Sequence, residues 1–208
     1  MPDPRVSKLA KVIVHYSLAL KPGQQLLLRT TPLAQELNLA VYEEAVKAGA
    51  YVWVQQSIPG AEEAFYKYAP DQLLDFVAPV RKLVTETFDA NLLIDAEHNT
   101  KSLSGVDPKR IARVRKAGAD LFNTMMKRTA EGTYRWCITV YPTHAMAQDA
   151  DMSLADYAEF VYGAGMLNEA DPVAFWKGEG IKQERLIKWL KGRDKVSLKG
   201  ANVDVTLS

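Results

Sequence analysis

The chain has 208 residues, 26 Lys and Arg against 25 Asp and Glu for a formal net charge of +1, and 48% hydrophobic residues, a length long for one domain and short for two. So balanced a charge gives no domain-wide field for nucleic acid or an anionic membrane surface, and neither is expected as a partner. The single Cys137 cannot close an internal disulfide and points to a reducing, cytoplasmic setting, while no run approaches the ~18 apolar residues of a membrane span and no secretory pattern follows Met1.

Short apolar runs alternate with longer segments of helical periodicity, the pattern of a parallel sheet with crossover helices. Ser7 to Leu20 sets Leu9, Val12, Ile13, Tyr16 and Leu20 on one helical face, and Lys21-Pro22-Gly23 stops it. Gln25 to Arg29 reads as a buried strand. Thr30-Thr31-Pro32 then offers an N-cap and a first-turn proline to a helix with the stripe Leu33, Leu37, Val41 and Ala45, ended at Gly49. Tyr51 to Val54, β-branched and aromatic, is a second strand parallel to the first, closing a βαβ unit.

Helical segments around Ala61 to Tyr68 and Pro70 to Phe88 lead to a third strand, Asn91 to Asp95. Asp107-Pro108 opens a basic amphipathic helix bearing Arg110, Arg113, Arg115 and Lys116, which runs toward Lys127 with Gly118 as a break point. Trp136 to Tyr141 is the fourth strand, Ser153 caps a further helix, and the last long helix begins near Asp171-Pro172 and carries Phe175, Trp176, Ile181, Leu186, Trp189 and Leu190. Past Lys191-Gly192-Arg193-Asp194, two alternating patterns, Val196 to Leu198 and Val203 to Leu207, flank Gly200-Ala201-Asn202 as a β-hairpin. A lone hairpin is marginal in water. The expected fold class is therefore α/β, a three-layer domain with a mainly parallel sheet flanked by helices over residues 1–191, followed by a hairpin in 192–208 that starts a second domain absent from the chain.

The chemistry-bearing residues are few. His15, His98 and His144 fall in no HExxH helix motif and make no one-turn pair, so no self-sufficient zinc signature exists. The densest cluster is Asp95, Glu97 and His98 at the C-terminal end of the third strand, where open α/β sheets place their ligands. With Thr30, Ser57 and His144 it makes a candidate strand-end site for a small molecule. The competing reading is that these polar residues only lead the chain out of the sheet. The loop after the first strand, Arg29-Thr30-Thr31-Pro32, lacks the glycines of a phosphate cradle. Cys137 lies within a strand and is expected to be a small core residue.

Read together, several segments resemble the metal-dependent aminopeptidase T and aminopeptidase S family of leucyl aminopeptidases. The strongest is Trp136 to Ser153, which passes through Tyr141-Pro142-Thr143-His144 and ends in Met152-Ser153. Pro22-Gly23, Gly49, Val106-Asp107-Pro108 and Asp171-Pro172-Val173 with Trp176 are similar to further landmarks in the same order. Cys137 and Val203-Asp204-Val205 depart from the pattern, which tends to show Thr and Thr-Asp-Leu there.

The resemblance implies a parent about twice this length that removes amino-terminal residues from peptides. Two divalent ions, such as cobalt, zinc or magnesium, would be held by Glu, His, Tyr and Asp ligands in the second domain, where they polarise the first carbonyl and generate a hydroxide. The parent is expected to be a homodimer around an enclosed cavity. On this reading the chain itself carries no catalytic residue and no metal, is inactive alone, and serves to wall the cavity and support the dimer. Trp136, Tyr141, Pro142, Thr143 and His144 are then cavity-lining or interdomain residues, with strand-end packing as the alternative.

Overall fold

The computed structural model describes residues 3–208. Four parallel strands form the sheet: β1 Gln25–Thr30, β2 Tyr51–Gln56, β3 Ala90–Asp95 and β4 Arg135–Val140, in the order β2-β1-β3-β4. Residue pairs Leu28↔Val54, Leu28↔Leu92 and Leu92↔Cys137 fix the register. Because the chain moves one way from β1 to β2 and the other way from β2 to β3, right-handed crossovers put the connecting helices on opposite faces.

One face is the main core. It is covered by α1 Pro4–Val12, a π-helical turn Ile13–Ser17, α2 Gln35–Lys47 and α9 Leu154–Ala164, whose Val6, Val14, Leu37, Val41 and Tyr162 cluster with Leu26, Leu28, Leu92 and Ile94 of the strands. Strand alternation turns Leu27, Asn91, Trp53, Trp136 and Ile138 to the other face. That side belongs to α3 Ala61–Tyr68, α4 Asp71–Leu74, α5 Pro79–Thr87, α6 Pro108–Ala117 and α7 Ala119–Ala130, and there Trp53 meets Phe88 with ring centroids 5.9 Å apart. Arg128 ties the layer together, donating to the carbonyls of Thr85 and Phe88 at 2.8 Å.

Local signals decide the boundaries. Asp107, Ser153 and Asp171 accept from Lys109, Asp156 and Ala174 amides and start α6, α9 and α10 Pro172–Leu190 as expected. Gly49 closes the α2–β2 turn at φ 80°, and a Cβ there would sit 3.1 Å from Cα and Cβ of Pro22. Gly118 does break the basic helix, between α6 and α7.

Three expectations need correction. The first helix changes to π geometry at Ile13, where the Leu18 amide reaches back to the Ile13 carbonyl at 2.8 Å. The segment Pro70 to Phe88 is two helices, α4 and α5, separated by a non-helical stretch at 75–78. Thr31 does not cap with its side chain, since the turn after it begins as a 3₁₀ segment Pro32–Ala34 and its hydroxyl donates to the Ala96 carbonyl at 2.9 Å.

The hairpin is present as β5 Val196–Gly200 and β6 Val203–Leu207, antiparallel, with Leu198 opposite Val205. Every residue of β6 is solvent-exposed.

Candidate functional site

The order β2-β1-β3-β4 reverses direction between β1 and β3, and open α/β sheets bind ligands beyond the carboxyl ends of the strands at such a reversal. A cavity of about 530 Å³ lies there. Its walls come from the ends of three strands: Arg29 to Thr31, Gln55 with Ser57, and Leu93 to Asn99, with Glu62 and Glu63 from the start of α3. Asp95, Glu97 and His98 thus meet in one cavity with Thr30 and Ser57, as the sequence suggested. His144 is not among its lining residues.

The strand ends are pinned to one another. The Ser57 amide donates to the Thr30 carbonyl at 2.9 Å, and the Tyr141 amide to the Asp95 carbonyl at 2.8 Å. Asn38 donates to the Thr31 carbonyl at 3.0 Å, while its own carbonyl oxygen accepts from the Thr30 hydroxyl. Burial raises the Asp95 carboxyl from its ordinary value. Glu97 is raised by burial first, then by the charges of Asp95 and Glu62. The cavity therefore concentrates carboxyl groups that resist ionisation, with Arg29 and His98 at the same rim.

These residues do not fit a metal centre. Among the described residues no group of three or more His, Cys, Asp and Glu side chains is arranged to hold an ion. Cys137 is partly buried on β4 against the core, and burial pushes its thiol up, the opposite of nucleophile activation. His15 is engaged with Glu44 at 2.7 Å.

The second set of candidates divides. Trp136 is the second residue of β4 and Tyr141 follows its last, which separates them by about 16 Å along the strand. Trp136 is exposed on the sheet face opposite the core cluster. Tyr141 packs against that cluster and donates its hydroxyl to Glu36 at 3.1 Å; burial, then Glu36, raises its pKa. Pro142 and Thr143 are buried, and the Thr143 hydroxyl accepts from the Met146 amide at 3.3 Å, capping α8 His144–Asp149. His144 is exposed at the first position of that helix rather than in a loop, because Thr143 starts a helix too short for its periodicity to be visible in sequence.

Arg29, Gln55, Glu62 and Glu63 line the cavity but were not singled out in the sequence. The Pro59-Gly60 turn before α3 was the available signal, since it puts Glu62 and Glu63 in a first helical turn close to the end of β2. Two basic residues of α6 serve internal contacts: Arg113 pairs with Asp71 and Asp75 at 2.6 Å, and Arg110 donates to the Tyr66 carbonyl at 2.6 Å. No described helix is long and apolar enough to cross a membrane.

Comparison with known proteins places this chain in a family. The chain is 25% identical over 207 residues to Aminopeptidase 2 of Geobacillus stearothermophilus, covering 92% of this chain and 49% of that protein. It is 22% identical over 216 residues to Aminopeptidase T of Thermus thermophilus, covering 97% and 52%. The solved structure of wild-type AmpT from Thermus thermophilus superposes with a TM-score of 0.78 at 21% identity, again over 97% of this chain and 52% of that one, and so shares the fold. The chain spans about half the length of the curated relatives it matches. The profile of the thermophilic metalloprotease (M29) family matches residues 2–208, and the chain belongs to that family.

Proposed function

We propose that this chain is the N-terminal α/β half of a metallo-aminopeptidase that removes amino-terminal residues from peptides, with a dinuclear metal site carried by a second half. The observation that carries this reading is the family match over residues 2–208 in a chain whose match covers 49% and 52% of those relatives. On this reading the domain's work is structural: it walls the catalytic cavity and supports a homodimer. Tyr141 to His144, at the end of β4, lie on the border with the second half, and residues 192–208 begin it.

The test is turnover. The purified 208-residue chain, supplied with cobalt, zinc or magnesium, is expected to leave leucine anilides intact, and a fusion to the remaining half of the Thermus relative to hydrolyse them. Cobalt-stimulated turnover by the chain alone overturns the assignment.

The cavity at the sheet reversal favours a second reading, a small-molecule site formed by Thr30, Ser57, Asp95, Glu97 and His98. Saturable binding of an amino acid or nucleotide that Asp95→Ala abolishes supports it, and a clean negative across both classes disposes of it.

A further inference from the structure

The cavity at the sheet reversal has walls that select one class of ligand. At about 530 Å³ it falls in the roughly 300–1,000 Å³ range of small-molecule sites. Four carboxyl side chains line it, Glu62, Glu63, Asp95 and Glu97, against one guanidinium, that of Arg29. Glu63 already has a cation, Lys67 at 2.9 Å. Asp95 and Glu97 do not: burial raises both, the charges of Asp95 and Glu62 push Glu97 further up, and no cation acts on either to offset this. A positive group placed among them relieves that cost.

Such walls repel phosphates, and the loop after β1, Arg29-Thr30-Thr31-Pro32, has no glycines to offset the repulsion with backbone amides. A single metal ion is a poor match as well, because among the described residues no three donors converge on one point. The charges suit a molecule that is itself extended. Ile58 and Pro59, in the loop between β2 and α3, and Leu93 of β3 line the same cavity, an apolar wall for a methylene chain with charged ends. Arg29 supplies the single positive group, whose fork geometry fits a carboxylate.

We propose that this cavity binds a free basic amino acid of the lysine or arginine type. Arg29 receives its carboxylate, Asp95 and Glu97 receive one cationic group and Glu62 the other, and the methylene chain lies along Ile58, Pro59 and Leu93. The proposal rests on the small-molecule reading of this cavity and gives it a ligand class. A molecule with two positive ends and one negative end matches three carboxyls and one guanidinium. Leucine leaves an acidic part of the wall unpaired, and glutamate sets a second carboxylate against it.

Isothermal titration calorimetry of the 208-residue chain tests it, with lysine, arginine, leucine, glutamate, AMP and cadaverine, the lysine chain without its carboxylate. Lysine and arginine are expected to bind one to one, and at least ~10-fold more tightly than leucine, glutamate or AMP. Asp95→Asn and Glu97→Gln should each weaken lysine by a similar factor. Arg29→Gln should weaken lysine and not cadaverine, while Glu131→Gln, at the far end of α7, should change nothing. Leucine, glutamate or AMP bound as tightly as lysine, in a manner that Asp95→Asn abolishes, overturns the basic class and leaves the small-molecule reading standing. Silence across the whole panel overturns both. Lysine binding that Asp95→Asn, Glu97→Gln and Arg29→Gln all spare lies elsewhere on the chain and overturns the assignment. Thermal melts accompany each variant, and if Asp95→Asn does not fold, the exposed Glu97 decides the matter on the same criteria.

Discussion

On one face of the sheet Leu26, Leu28, Leu92 and Ile94 are wholly excluded from solvent beneath α1, α2 and α9. On the other face Trp136 and Ile138 keep 46% and 58% of their surface exposed, and neither α6 nor α7 buries a single residue fully. Both faces are rich in large apolar side chains, so hydrophobicity alone does not separate them. The first face is closed over, whereas the second buries Leu27, Leu74, Val84 and Tyr134 and leaves its neighbours on β4 open. The second, with the β2 edge, the outer half of α10 and the hairpin, also keeps large apolar side chains exposed, among them Trp136, Ile138, Leu186, Trp189 and Leu207, the kind of surface that associates with other protein when it is contiguous.

If that division is right, the same chemical change has unequal effects on the two faces. Leu92→Ala should cost about 2–5 kcal/mol of unfolding free energy by leaving a cavity, whereas Ile138→Ala should stay within about 0.5 kcal/mol. Urea titration of both variants checks this, and equal losses would erase the distinction. Gly49→Ala comes next. It forces a Cβ into the left-handed region against Pro22 and should cost about 1–3 kcal/mol by the same titration. Thr143→Ala removes the cap of α8 and should cost about 1 kcal/mol, with Thr143→Ser recovering most of it.

The smallest effect concerns pH. Because the folded-state pKa of Asp95 is raised by burial, the native state holds this proton more tightly than the unfolded chain does. Stability from this group is therefore present at low pH, falls as pH rises from the ordinary carboxylate value toward the raised one, and is lost above it. Asp95→Asn should stabilise the chain slightly at neutral pH and remove that slope in acid, as thermal melts across the acidic range would record. A variant less stable than wild type at pH 7 would mean that the ionised carboxylate is held by a favourable contact.

Much of the architecture is legible in local chemistry. The caps at Asp107, Ser153 and Asp171, the break at Gly118 and the β-branched runs each depend on a few neighbouring residues, and the structure keeps them. Short or continuous features are harder to read. The π turn at Ile13–Ser17 continues an unbroken apolar periodicity, and α8 has only six residues. The meeting of Asp95, Glu97 and His98 was readable because all three lie at the end of one strand. The approach of Glu62 and Arg29 was not, because it depends on strand order, which no local pattern encodes. The exposure of Trp136 was hidden for the same reason: a strand residue shows its alternation in sequence, but not whether a helix covers that face.

The central claim is that this domain folds on its own while the family's metal chemistry belongs to another half. Metal content after equilibrium dialysis against cobalt or zinc, read by mass spectrometry on the folded 208-residue chain, tests it most directly. The account predicts a cooperatively melting protein with far less than one ion per chain. Two tightly held ions per chain would contradict it.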